Sequence, residues 1–183
     1  MTHFEDKPLE GRRAAVMVGP LFEDIEALYR LREAGAIVQV IGSTAGDTVE
    51  GKKGQVLDVE QAADDLLADD LDLIVIAGGY GPDKLRMDEG VLRLVRALDE
   101  QGKPIAFICH AGWVPASAGI IEGRAATSAP SIADDLRNAG AEWKDAEVVV
   151  DGNLVSSRGP DDLPAFMRAT IELAARAPTV TQR

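Results

Sequence analysis

The stretch Lys103-Pro-Ile-Ala-Phe-Ile-Cys109-His110-Ala-Gly112 decides the fold. Its short, unbroken apolar run reads as a strand covered on both faces. The run ends on Cys109 and His110, and the small residues that follow, through Trp113 and Ala116 to Gly119, read as a helix. A strand turning straight into a helix presents the thiol on a sharp bend, the geometry of a nucleophile elbow. The start of that helix favours negative charge on sulfur, and the thiolate is the reactive form. Two readings of Cys109 stay open at this point: a nucleophile, or a small buried hydrophobe, which free cysteines often are.

Working outward, Leu71-Asp-Leu-Ile-Val-Ile-Ala77 is a second near-continuous apolar run, ended by Gly78-Gly79-Tyr80-Gly81-Pro82. Arg13 to Gly19 and Ile37 to Ile41 read as two further strands. Helices are expected over Phe22 to Ala34, with Ile25, Leu28 and Leu31 on one face and Gly35 as the stop, over Val59 to Leu67, and over Val91 to Gln101. Gly42, Gly46, Gly51 and Gly54 mark a hairpin or loop. Downstream, Ala133 to Ala139 is helical with Gly140 at its end. Ala146 to Asp151 and Leu154 to Ser157 flank a Gly152-Asn153 turn, and Leu163 to Ala175 forms a last helix. Strands alternating with helices predict an α/β domain with a mainly parallel central sheet. Ligands of such sheets bind beyond the carboxyl ends of the strands, where both Gly78-Gly79 and Cys109 fall. A backbone N–H at Gly79 could meet an oxyanion there; a plain structural turn is equally consistent.

Composition narrows the class. The chain has 183 residues, suited to one domain: an arm over 1–12, an α/β body over 13–176 and a tail over 177–183. Acidic residues outnumber basic ones 31 to 19, for a net charge of -12. Such a surface repels phosphate backbones, so nucleic acid is set aside as a partner. Aromatics make up only 4%, which leaves the core to aliphatic side chains. A single cysteine allows no internal disulfide. The two histidines, His3 and His110, have no companions at metal-ligand spacing, so neither metal nor cofactor is expected. No apolar run reaches the roughly 18 residues of a membrane span. Met1 to Arg13 is polar and does not read as a signal peptide, so the expected location is the cytoplasm.

Several stretches together carry a resemblance. They are Phe22-Glu-Asp-Ile-Glu26, Ile76-Ala-Gly-Gly79 with Pro82-Asp83, Ala106-Phe-Ile-Cys-His110, Ser117-Ala-Gly119, Gly123-Arg124, Thr127-Ser128, Asp134-Asp135 with Asn138-Ala-Gly140, and Glu142-Trp-Lys-Asp-Ala-Glu-Val-Val-Val-Asp-Gly-Asn153 with Val155-Ser-Ser-Arg158. From Arg13 to about Ala175 the chain resembles the PfpI/ThiJ superfamily, in particular its PfpI-type intracellular cysteine protease and general stress protein branch, within the class I glutamine amidotransferase-like group. The resemblance implies a flavodoxin-like three-layer sandwich and a homo-oligomer, dimer or hexamer. It makes Cys109 the nucleophile with His110 beside it, and the Gly79 and His110 N–H groups an oxyanion hole supported by Gly78. It implies an acid after the Gly-Gly turn, given by a neighbouring subunit. Asp83 holds that position, where the branch more often has Glu; read alone, Asp83 is a turn residue after Pro82. It also implies an acid in the first helix that hydrogen-bonds the sulfur. Spacing from the first strand gives Glu26, while Glu23, one turn earlier, reads as a solvated helix face.

The chain departs from the pattern in three places. The first helix is about one turn short. Ala111-Gly112-Trp113 stands where Gly-Pro is usual after the Cys-His pair. Ala129 replaces a tyrosine, and Trp113 either fills part of that space or belongs to the core. The implied activity is that of a stress-related hydrolase or deglycase acting on small carbonyls, glycated groups or peptides through the Cys109 thiolate. The alternative is a redox-sensing stress protein or chaperone in which Cys109 is oxidised and held by Glu26. A third reading is an oligomeric scaffold with a fossil site.

Overall fold

The computed structural model describes residues 7–23 and 25–178. In chain order the elements are β1 (Arg13–Met17), α1 (Glu26–Glu33), β2 (Ile37–Gly42), β3 (Thr48–Glu50), β4 (Val56–Asp58), β5 (Gln61–Ala62), β6 (Leu73–Ile76), α2 (Gly81–Leu85), α3 (Glu89–Glu100), β7 (Ile105–Ile108), α4 (Trp113–Ala118), β8 (Ala125–Ala126), α5 (Ala133–Asn138), β9 (Glu142–Trp143), β10 (Val148–Asp151), β11 (Leu154–Ser157) and α6 (Leu163–Arg176). Seven strands form the central sheet in the order β10-β11-β7-β6-β1-β2-β5. Every neighbouring pair is parallel except the β10–β11 hairpin. The β1–β2 crossover steps one way along the sheet and the β6–β7 crossover steps the other way. Right-handed crossovers in opposite directions put α1 and α3 on opposite faces, giving the three layers of the flavodoxin-like fold. The order reverses between β1 and β6, so the crevice of such a sheet opens above their carboxyl ends.

The apolar runs of β6 and β7 are buried along their whole length, as their composition predicts. Leu94, Val95 and Leu98 of α3 and Phe166 and Met167 of α6 supply helix-side core packing. The glycine-rich stretch after β2 folds as the antiparallel hairpin β3–β4. The Glu142–Asn153 stretch proves structural. Arg124 pairs with Asp99 at 2.9 Å and with the Asn153 side chain at 2.8 Å, and it also reaches the Asp151 carbonyl. Asn153 in turn donates to the Lys103 carbonyl at 2.9 Å, tying the β10–β11 turn to the start of β7.

Three sequence expectations are corrected. The first helix begins at Glu26, not Phe22, because the Phe22 backbone forms an antiparallel bridge with Gly79 and its carbonyl accepts from Lys52 N–H. Val59 to Leu67 is not one helix; only Ala63–Asp65 makes a short 3₁₀ turn. Gln61 and Ala62 join β2 as an edge strand, and Glu60 uses both its N–H and its carboxylate on Val40. Sheet pairing there overrides a weak helical pattern. Residues 7–12, assigned to the arm, are packed: Leu9 is fully buried and its N–H donates to the Ala34 carbonyl at 2.9 Å. Arg12 donates to the Ala175 and Ala177 carbonyls, linking this segment to the end of α6. Residues 1–6, with His3, and residues 179–183 lie outside the described residues.

Candidate active site

β7 delivers its chain directly into a 3₁₀ turn, Cys109–Gly112, which continues as α4. Making that bend without a connecting loop forces Cys109 to φ 62°, the left-handed region that L-residues with a Cβ avoid. Strain of this kind persists only where surrounding structure holds it, and it clusters at functional sites. Cys109 is buried, 7% exposed.

His110 follows in the same turn. Its Nδ1 lies 3.2 Å from Cys109 Sγ, and its Nε2 lies 3.1 Å from Ser131 Oγ. The ring is flanked by Trp113, with centroids 5.2 Å apart, and by Tyr80 at 6.3 Å. Burial first, and then the nearby Lys52 ammonium, push the imidazole below its ordinary value of 6.5, against a smaller opposing pull from Glu23. The neutral ring is therefore the form this site favours near neutral pH.

The wall opposite is stitched together by backbone. Leu21, itself at φ 60°, receives Tyr80 N–H on its carbonyl and donates its own N–H to the Glu50 carbonyl. Glu23 N–H reaches the Gly78 carbonyl, and Lys52 N–H reaches the Phe22 carbonyl. Gly79 must be glycine: its φ is 86°, and a Cβ there would run into the Leu21 carbonyl and sit 2.8 Å from the Glu23 nitrogen. This stitching brings Glu23 and Lys52 over the elbow, where their side chains pair at 3.2 Å. Lys52 Nζ lies 5.2 Å from the Tyr80 ring centroid. The Lys52 pKa is raised, chiefly by the hydrogen bond to Glu23, with a smaller contribution from Cys109. That attraction is mutual, so Lys52 favours negative charge on the sulfur.

Several expected site residues fall elsewhere. Glu26, assigned to the sulfur, is exposed on the first turn of α1. Glu23 is the acid brought to the site, because the helix starts after it and the Phe22–Gly79 bridge turns it inward. Asp83, expected to act from a neighbouring subunit, is exposed on α2, and within this chain His110 Nε2 faces Ser131. Trp113 is not simply core: it is half-buried against His110, and its Nε1 donates to Asp135 at 2.7 Å. Ala129 is buried, and its N–H donates to the Cys109 carbonyl at 3.2 Å. Lys52, Tyr80 and Ser131 were not foreseen. Tyr80 follows the Gly78-Gly79 turn already placed beside Cys109, whereas Lys52 and Ser131 reach the site only through a fold of the chain that no local pattern signals. No cluster of metal-ligating side chains occurs among the described residues.

A doubly wound sheet with a cysteine at a strained strand-to-helix elbow, an adjacent histidine and a glycine turn beside it defines a class of cysteine-centred α/β proteins. The DJ-1/PfpI family model matches residues 12–173, and the chain belongs to that family. It is similar to the deglycase PfpI of Pyrococcus furiosus, 43% identical over 155 residues, covering 83% of this chain and 93% of that protein. It is also similar to general stress protein 18 of Bacillus subtilis, 39% identical over 168 residues, covering 89% and 98%. Among solved structures, DJ-1beta of Drosophila melanogaster superposes with a TM-score of 0.82 at 32% identity, covering 91% of this chain and 92% of that one.

Proposed function

We propose that this protein is a stress-related, cysteine-dependent hydrolase or deglycase whose Cys109 thiolate attacks the carbonyl carbon of small aldehydes or of glycated groups. The observation that carries this is the Cys109–His110 pair, with sulfur and Nδ1 3.2 Å apart on a strained elbow. In the first step the S–C bond forms and the carbonyl π pair becomes an alkoxide. In this reading the N–H groups of Gly79 and His110 stabilise that oxyanion, and His110 moves the proton. Lys52 favours the thiolate before attack. Relatives that carry the name deglycase, and others named as stress proteins, support the same reading. A homo-oligomer is proposed as the working state, with exposed Leu21 and Tyr80 beside the site as apolar surface for a second copy. The proposed location is the cytoplasm; no helix among the described residues is long and apolar enough to cross a membrane.

Methylglyoxal consumption in an amine-free buffer tests the reading. Wild type is expected to turn the aldehyde over and Cys109→Ser to lose at least about a hundredfold in kcat. Full activity in Cys109→Ser would sink the proposal. An inactive wild type whose Cys109 gains oxygen under mild peroxide would favour the redox-sensing role instead.

A further inference from the structure

We propose that Ser131 is the positioning residue for His110, filling within one chain the place the family resemblance gives to a neighbouring subunit's acid. An imidazole has two ring nitrogens, and each makes one in-plane hydrogen bond. Nδ1 is committed to Cys109 Sγ at 3.2 Å and Nε2 to Ser131 Oγ at 3.1 Å, so both are used inside this chain. Asp83, which the resemblance gives to a neighbouring subunit's histidine, lies exposed on α2, and Ser131, also exposed, is the side chain this chain itself sets against Nε2.

The chemistry of the two partners differs. A carboxylate only accepts, so it would hold the proton on Nε2 and favour the imidazolium. A hydroxyl rotates and serves as donor or acceptor. It accepts from Nε2–H in the neutral ring that faces the thiol, and still accepts from Nε2–H in the imidazolium formed when the thiol proton moves to Nδ1; once the Nε2 proton has left to solvent, it donates to the bare Nε2. Ser131 therefore holds the ring in each of these states without favouring its charged form as a carboxylate would. That suits a ring with Lys52 and Glu23 over the site, Tyr80 and Trp113 at its faces, and Cys109 at its edge.

The placement is built in. Ser131 lies on the 3₁₀ turn Pro130–Ile132 that leads into α5. One residue before that turn, Ala129 donates its N–H to the Cys109 carbonyl. Ser131 and the elbow are thus held to each other by backbone. Sequence alone gave no hint, since Ser131 sits 21 residues from His110 in an unremarkable turn.

The inference deepens the site proposed above, and its first readout does not depend on that proposal. Two-bond proton–nitrogen NMR of ¹⁵N-labelled protein, with His3→Gln so that only His110 reports, follows both ring nitrogens through a pH titration. Ser131→Ala is expected to move the Nε2 signal and to lower kcat for methylglyoxal about tenfold with little change in KM. Ser131→Thr, which keeps the hydroxyl, is expected to restore both. Ring signals unmoved by Ser131→Ala, or an Nε2 signal that answers to Asp83→Asn instead, would overturn the assignment. If wild type turned over no methylglyoxal, the substrate proposal would fail while the ring signals still decided the role of Ser131.

Discussion

His110 carries the sharpest consequence at the level of single side chains. Its pKa lies below the ordinary 6.5, so the folded protein prefers the neutral ring. Between the folded and unfolded values the unfolded chain binds more protons. The stability this group contributes is therefore complete above pH 6.5 and is lost as pH falls through the folded-state value. Lys52 is one cause of the depression, so Lys52→Met should raise the His110 pKa, and an NMR titration of that ring would read the shift directly. A downward shift or none would remove Lys52 from the electrostatics of the site. Gly79 makes a second claim at this level. Gly79→Ala should cost about 1–3 kcal/mol in a denaturant titration, because the left-handed backbone and the Leu21 carbonyl both oppose a Cβ. A neutral effect would mean that the turn relaxes readily.

Helices and strands were legible where their surroundings agreed with their local pattern. β6 and β7 are apolar throughout and buried throughout, and the elbow after β7 follows from the abrupt change at Cys109. The misread elements share one cause: long-range backbone pairing took hydrogen-bonding groups that a helix would have used. Phe22 pairs with Gly79, and Gln61 and Ala62 pair with β2. The four-residue shift in the start of α1 is also why Glu23 is the acid at the site and Glu26 is not. The segment before β1 was misread for a different reason. One leucine in a polar run shows no periodicity, yet Leu9 is completely buried. Leu9→Ala should destabilise the fold by about 2–5 kcal/mol, as loss of a core leucine does. A thermal midpoint unchanged from wild type would show that the segment does not contribute to the core.

For the molecule as a whole, the proposed assembly is a claim about association. Leu21 and Tyr80 are half-exposed apolar surface next to the crevice, at 49% and 57%. Sedimentation velocity at micromolar concentration is expected to show a dimer or larger species, and Tyr80→Glu to shift it toward monomer. A wild-type monomer would refute the assembly and leave the single-chain site to act alone.

The class of fold and the elbow with its cysteine and histidine were present in the chain order of residues. Each rests on short-range patterns: a buried strand, an abrupt turn, a cysteine and histidine side by side. Which acid, which cation and which hydroxyl surround that cysteine depended on contacts between segments far apart in the chain. Glu23 and Lys52 are 29 residues apart, and His110 and Ser131 are 21 apart. Contacts at such range are set by sheet order, by the bridge at Gly79 and by the hairpin that carries Lys52. A local pattern encodes none of these, because the free energy that selects them comes from the packing of the whole core.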